Sequence, residues 1–94
     1  MHERRPAPAQ NVVSQISDGT TVLLQLESGT YFSLDNVGTL IWALCDGRRS
    51  VHEIASSVCD EYDIDLSTAA DDVDALLAQL EHKHLVSFLD GGTD

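Results

Sequence analysis

What this chain has least of is positive charge. Arg4, Arg5, Arg48, Arg49 and Lys83 are its only lysines and arginines, set against sixteen aspartates and glutamates, for a formal net charge of −11 at pH 7. A protein that grips nucleic acid by its phosphates needs a basic face, so the charge balance argues against DNA or RNA as a partner. No apolar run approaches the roughly 18 residues of a membrane span, and the Met1–Pro6 segment lacks the apolar stretch of a signal peptide. The chain therefore reads as a cytoplasmic protein with no membrane partner. Cysteine is nearly absent: Cys45 and Cys59 each sit in a helical pattern without a second ligand at metal-binding spacing, which suits buried, reduced thiols. Both prolines, Pro6 and Pro8, fall in the first ten residues, and these carry no periodicity, so residues 1–10 are expected to form a flexible tail.

What is present is a single small domain, expected over residues 11–89, with 90–94 frayed. Ninety-four residues are too few for two cores, and 43% hydrophobic residues are enough for one. Its organising stretch is Ser28–Gly47. There a short strand rich in aromatic and hydroxyl residues passes directly into a helix with apolar residues at Val37, Leu40, Ile41 and Leu44. The hydrophobic period changes from two to about 3.6 within a few residues. Sheet is expected before this seam and helix after it.

Two alternating runs, Asn11–Ser17 and Thr20–Leu26, flank Asp18-Gly19, a strong signal for a two-residue hairpin turn with positive φ at both positions. Closure there sets Gln15 opposite Val22 and Val13 opposite Leu24. For the next connection a three-residue loop, Glu27-Ser28-Gly29, is preferred. It pairs Leu24 with Phe32 and Val22 with Leu34, and gathers Val13, Val22, Leu24, Leu26, Phe32 and Leu34 on one face. The 30–34 strand then lies at the edge of a three-stranded antiparallel meander. Three helices are expected to follow: about 36–45, ending at Asp46-Gly47; one opened by the capping box Ser50-Val-His-Glu53, with apolar face Val51, Ile54, Ala55, Val58 and Tyr62; and about 67–84, with buried stripe Val73, Leu76, Leu77 and Leu80. The class is α+β, a winged-helix-like meander followed by three helices.

A catalytic constellation is missing. His82 and His84 lie two apart on different helix faces, His2 falls in the N-terminal tail, and His52 sits in the first turn of a helix. Asp71, Asp72 and Asp74 read as the charged start of a helix. No phosphate-cradling glycine loop or nucleophile motif occurs. No enzyme activity, metal or cofactor is therefore expected. What remains is binding. The edge Thr30–Leu34 offers unpaired backbone groups without a lysine, proline or inward charge to blunt it, and such an edge can take a partner's strand.

The residues Gly29-Thr-Tyr-Phe-Ser-Leu-Asp35, then Gly38, Ile41-Trp42, Leu44-Cys-Asp-Gly47, Val51 with Glu53-Ile54, Tyr62-Asp-Ile-Asp65, Asp72-Val73, Leu77, Leu80 and Leu85-Val86 resemble the PqqD-like family, the small recognition domains of ribosomally made, modified peptides. The likeness spans about Val12 to Val86 and is strongest for the freestanding members of lasso-peptide pathways. It implies that the leader of a precursor peptide adds a strand to the 30–34 edge. The contact residues it implies are Thr30, Tyr31, Phe32, Ser33 and Leu34 on that strand, with Asp72, Val73, Leu76, Gln79 and Leu80 on the third helix. It implies as partners the precursor leader, a separate leader peptidase and a macrolactam cyclase, and it suggests that the acids at the start of the third helix favour a basic leader residue. The alternatives are a PqqD-type peptide chaperone in a radical-enzyme pathway, a winged-helix DNA-binding regulator, a carrier of the modified product, and a subunit that only stabilises its enzyme.

Overall fold

A computed structural model of the chain describes residues 4–90. In chain order the elements are β1 (Arg4–Pro8), β2 (Val12–Ser17), β3 (Thr20–Gln25), β4 (Thr30–Leu34), α1 (Asn36–Leu44), α2 (Val51–Tyr62), α3 (Leu66–His82) and β5 (Val86–Asp90). Strands β2, β3 and β4 form an antiparallel sheet in that order, and β1 pairs with β5 in a second, two-stranded sheet. The α+β class and the meander followed by three helices are as the sequence predicts, with the second sheet added.

The first hairpin has the expected turn. Asp18 and Gly19 both take positive φ, 53° and 80°, and the register sets Val13 against Leu24 and Gln15 against Val22. The second hairpin corrects the expectation. Its connection has four residues, 26–29, with Gln25 opposite Thr30, Leu24 opposite Tyr31 and Leu23 opposite Phe32. Gly29, at φ 73°, closes it by donating its N–H to the Gln25 carbonyl at 2.8 Å. A one-residue shift reverses the faces of a strand. Thr21, Leu23 and Gln25 therefore point inward with Leu34 and the half-buried Phe32, while Val13, Val22 and Leu26 are exposed. The physical reason lies in two polar residues that the core accepts because their hydrogen bonds are met. The Gln25 side chain donates to the His84 carbonyl at 2.6 Å and to the Gln10 carbonyl at 3.3 Å, and accepts from the Glu27 N–H at 3.1 Å. Thr21 shares a 2.8 Å hydroxyl–hydroxyl bond with Thr39.

The N-terminal segment is a second correction. Instead of a flexible tail throughout residues 1–10, Arg4–Pro8 forms β1, antiparallel to β5 with Pro6 opposite Phe88. Proline has no N–H to give a ladder and is confined to edges, and β1 has a single partner strand. Pro6 is fully buried, and its carbonyl accepts the Gly47 N–H at 2.9 Å. Two prolines hide the alternation that would otherwise mark a strand. Of the segment expected to fray, Asp90 ends β5 and residues 91–94 lie outside the described residues.

Each helix is punctuated by its own sequence. The Asp35 carboxylate caps α1 by accepting the Gly38 N–H at 2.8 Å. Ser50 and Glu53 form the predicted capping box of α2. Helix α3 starts and stops slightly earlier than its periodicity suggests, and the chain leaves it through His84 at φ 60°. Leu23, Leu34, Ile41, Trp42, Ile54, Val58, Val73, Leu77, Leu80 and Leu85 are among the core residues between the sheets and the helices. Tyr62, expected on the apolar face of α2, is 38% exposed.

Candidate functional site

Strand β4 is hydrogen-bonded to β3 alone, so its other side is an open edge. A cleft of about 460 Å³ runs beside it. Phe32, Ser33 and Leu34 line it from β4, and Asp72, Leu76 and Gln79 from α3. The spacing of the α3 residues follows from the helix, since positions three or four apart fall on one face. The floor is the first turn of α1, with Val37 and Gly38, and Ile41 just beyond it. That turn lies against the end of β4 because Asp35 is both the residue after the strand and the cap of the helix. Gly38 permits the approach: a Cβ there would stand 3.1 Å from the Leu34 Cβ and 3.3 Å from the Asp35 carboxylate, closer than packed atoms ordinarily sit.

Of the residues expected at a site, the structure brings together Phe32, Ser33, Leu34, Asp72, Leu76 and Gln79. It places the others elsewhere. Val73 and Leu80 are fully buried in the core. Tyr31 is 68% exposed on the outer face of the sheet. Thr30 closes the hairpin, where its hydroxyl accepts from Ser28 at 2.8 Å. Sequence reasoning missed Asp35, Val37, Gly38, Ile41 and Ala75, which also line the cleft. The signal for four of them was the direct passage from strand to helix, which must fold the first helical turn beside the strand it leaves.

The cleft offers an apolar floor, an open row of backbone groups and few charges. Asp35 and Asp72 are its acids, and the Lys83 ammonium stands 5.9 Å from the centre of the Phe32 ring, a cation–π distance. Among the described residues no group of three or more His, Cys, Asp or Glu side chains is placed to hold a metal. Burial, with the nearby Asp46 charge adding to it, pushes the Cys45 thiol up to about 12, so it is no nucleophile near neutral pH. Asp46 itself, at the surface, is held below the usual carboxylate range, mainly by the Arg48 backbone N–H at 2.9 Å and further by the Arg49 charge. Among the described residues no helix is long and apolar enough to cross a membrane.

A sequence profile of the family described as Coenzyme PQQ synthesis protein D (PqqD) matches residues 20–86, well over half of the chain. The chain belongs to the PqqD family. Among solved structures, TbiB1 in complex with the TbiA(beta) leader peptide is 38% identical, with a TM-score of 0.79 over 94% of this chain and 99% of that one. The fold also matches lasso peptide synthetase B1 complexed with the leader peptide, at 23% identity and a TM-score of 0.79 over 88% and 98% of the two chains. No curated protein matches. The profile begins at the first residue of β3 and ends at the first of β5, so it contains the whole cleft and leaves out β1 and β2.

Proposed function

We propose that this protein is a non-catalytic recognition element of the lasso-peptide type, working in the cytoplasm. It captures the leader of a ribosomally made precursor by strand addition to β4 and presents the precursor to a separate leader peptidase and to a macrolactam cyclase. The observation that carries this is the open β4 edge running along a cleft with an apolar floor. An added strand draws general affinity from backbone hydrogen bonds and specificity from alternate side chains entering the cleft. The 38% identical TbiB1, solved with a leader peptide bound, supports the same use. Thr30–Leu34 supply the pairing strand, Asp72, Leu76 and Gln79 the opposite wall, and Val73 and Leu80 hold that wall from behind.

Capture accelerates maturation by tethering. A leader held on one protein raises the effective concentration of the cleavage site at the peptidase to about the millimolar range, given a linker that spans the distance. A strand with two or three side-chain anchors suits a Kd between nanomolar and micromolar, about −12 to −8 kcal/mol.

Fluorescence polarisation with labelled leader peptides of lasso precursors, the TbiA(beta) leader among them, tests the reading. Saturable binding is expected. Ser33→Pro, which interrupts the edge, should weaken it by at least tenfold, and N-methylation of alternate leader amides should do the same without touching the protein. Binding that survives both changes would move the site away from β4. A complete lack of binding at high micromolar protein would refute leader capture by this chain.

A further inference from the structure

We infer that the cleft is electrically polarised and reads the direction of its peptide, taking a segment with a basic side chain and, four residues later, an acidic one. The inference rests on the strand-addition reading above and specifies the ligand it admits. In a chain of net charge −11, the cleft is lined by two acids, Asp35 and Asp72, and the chain's single lysine lies beside one of its lining residues. Lys83, directly after α3, stands over Phe32. Asp72 lies near the other end of the same helix, about 16 Å away at 1.5 Å per residue. On the strand side, Asp35 is three residues beyond Phe32, about 10 Å at strand spacing. Neither Asp72 nor Lys83 makes an ion pair with another described residue, so both charges are available to a ligand. The other acids of the α3 start do not contribute to the cleft. Asp71 is exposed outside it, and Asp74 lines a separate groove with Arg4 and Phe88.

Side chains on one side of an extended peptide recur every second residue, so positions i and i+4 are about 13 Å apart. That separation lies between the two spans just given. The sheet is antiparallel at both of its pairings, and an antiparallel addition to β4 puts the N-terminal end of the peptide beside Asp35 and Asp72 and its C-terminal end beside Lys83. The basic residue therefore precedes the acidic one. A peptide with the two charges exchanged meets repulsion at both ends. Half-exposed pairs of this kind contribute only a few fold each, so the ordered and exchanged peptides are expected to differ about tenfold in affinity, and less at high salt.

A displayed library tests this directly: the tightest-binding leader from the polarisation experiment, with the two members of each pair of positions four apart set independently to Lys, Glu or Gln. Against the wild type, one pair should be enriched as Lys/Glu about tenfold over Glu/Lys. Against Lys83→Glu the preference at the second position should turn basic, and against Asp72→Lys the preference at the first should turn acidic. Lys83→Gln and Asp72→Asn, checked by thermal melting, should each abolish the preference at one position and leave the preference at the other. Binding of the parent leader without any charge order, or an order indifferent to all four variants, would overturn the polarity and leave leader capture standing. Failure of every leader to bind would remove both.

Discussion

At the scale of single residues, Gln25 decides which way the sheet faces. Three backbone groups from the strand's own turn, from residue 10 and from the α3–β5 joint converge on its side chain. Replacing it by leucine keeps the volume and strands those groups in the interior. Gln25→Leu is expected to cost about 2–4 kcal/mol, given 1–3 for each buried group left unpaired and partial access of water to some of them, read as a lower urea midpoint. This also explains the misjudged register. Apolar residues alone favour Leu24 inside, because nothing local to Gln25 announces partners at Gln10 and His84. Cys45 sets a pH dependence. Its thiol ionises near 9.0 when unfolded and near 12 when folded, so the unfolded state loses its proton first. The stability this contributes is complete below pH 9 and falls as pH rises towards 12, by at most about 1.4 kcal/mol per pH unit. Urea melts from pH 7 to 10.5 should show that decline in the wild type and a shallower one in Cys45→Ala.

At the scale of elements, what was legible followed the strength of local signals. Asp18-Gly19, the Ser50–Glu53 capping box and the period change at the seam each have a single physical interpretation, and all three appear where the sequence places them. The strands β1 and β5 had no such signal. The first is masked by Pro6 and Pro8, and the second is a short apolar run whose partner lies at the far end of the chain. Their pairing closes the core over Leu85 and Val86, which are buried. Removing residues 1–8 should therefore lower the melting temperature by more than 10 °C, since it uncovers core at a cost of several kcal/mol. Because β1 contributes nothing to the cleft, the truncated protein should retain its leader affinity within about threefold at a temperature where it is folded. A joint loss of both properties would show that the cleft depends on the second sheet.

At the scale of the whole molecule, charge and topology give different answers to the same question. Three strands and three helices fit a DNA-binding winged helix, whereas a net charge of −11 opposes phosphate contact. The open edge resolves the two, because strand addition uses backbone groups and requires no basic face. The edge was legible from the sequence, and the cleft only in part. Its two walls come from segments some forty residues apart, and their facing each other depends on how α1 turns on Gly38. Sheet order leaves β2 with an open edge as well, but only the β4 edge is accompanied by the cleft. The most direct measurement is hydrogen exchange of the backbone amides with and without a saturating leader peptide. Leader capture at β4 predicts slowed exchange at 30–34, with weaker protection over 72–79, and no change across 12–17. Protection at 12–17 with none at 30–34 would contradict it.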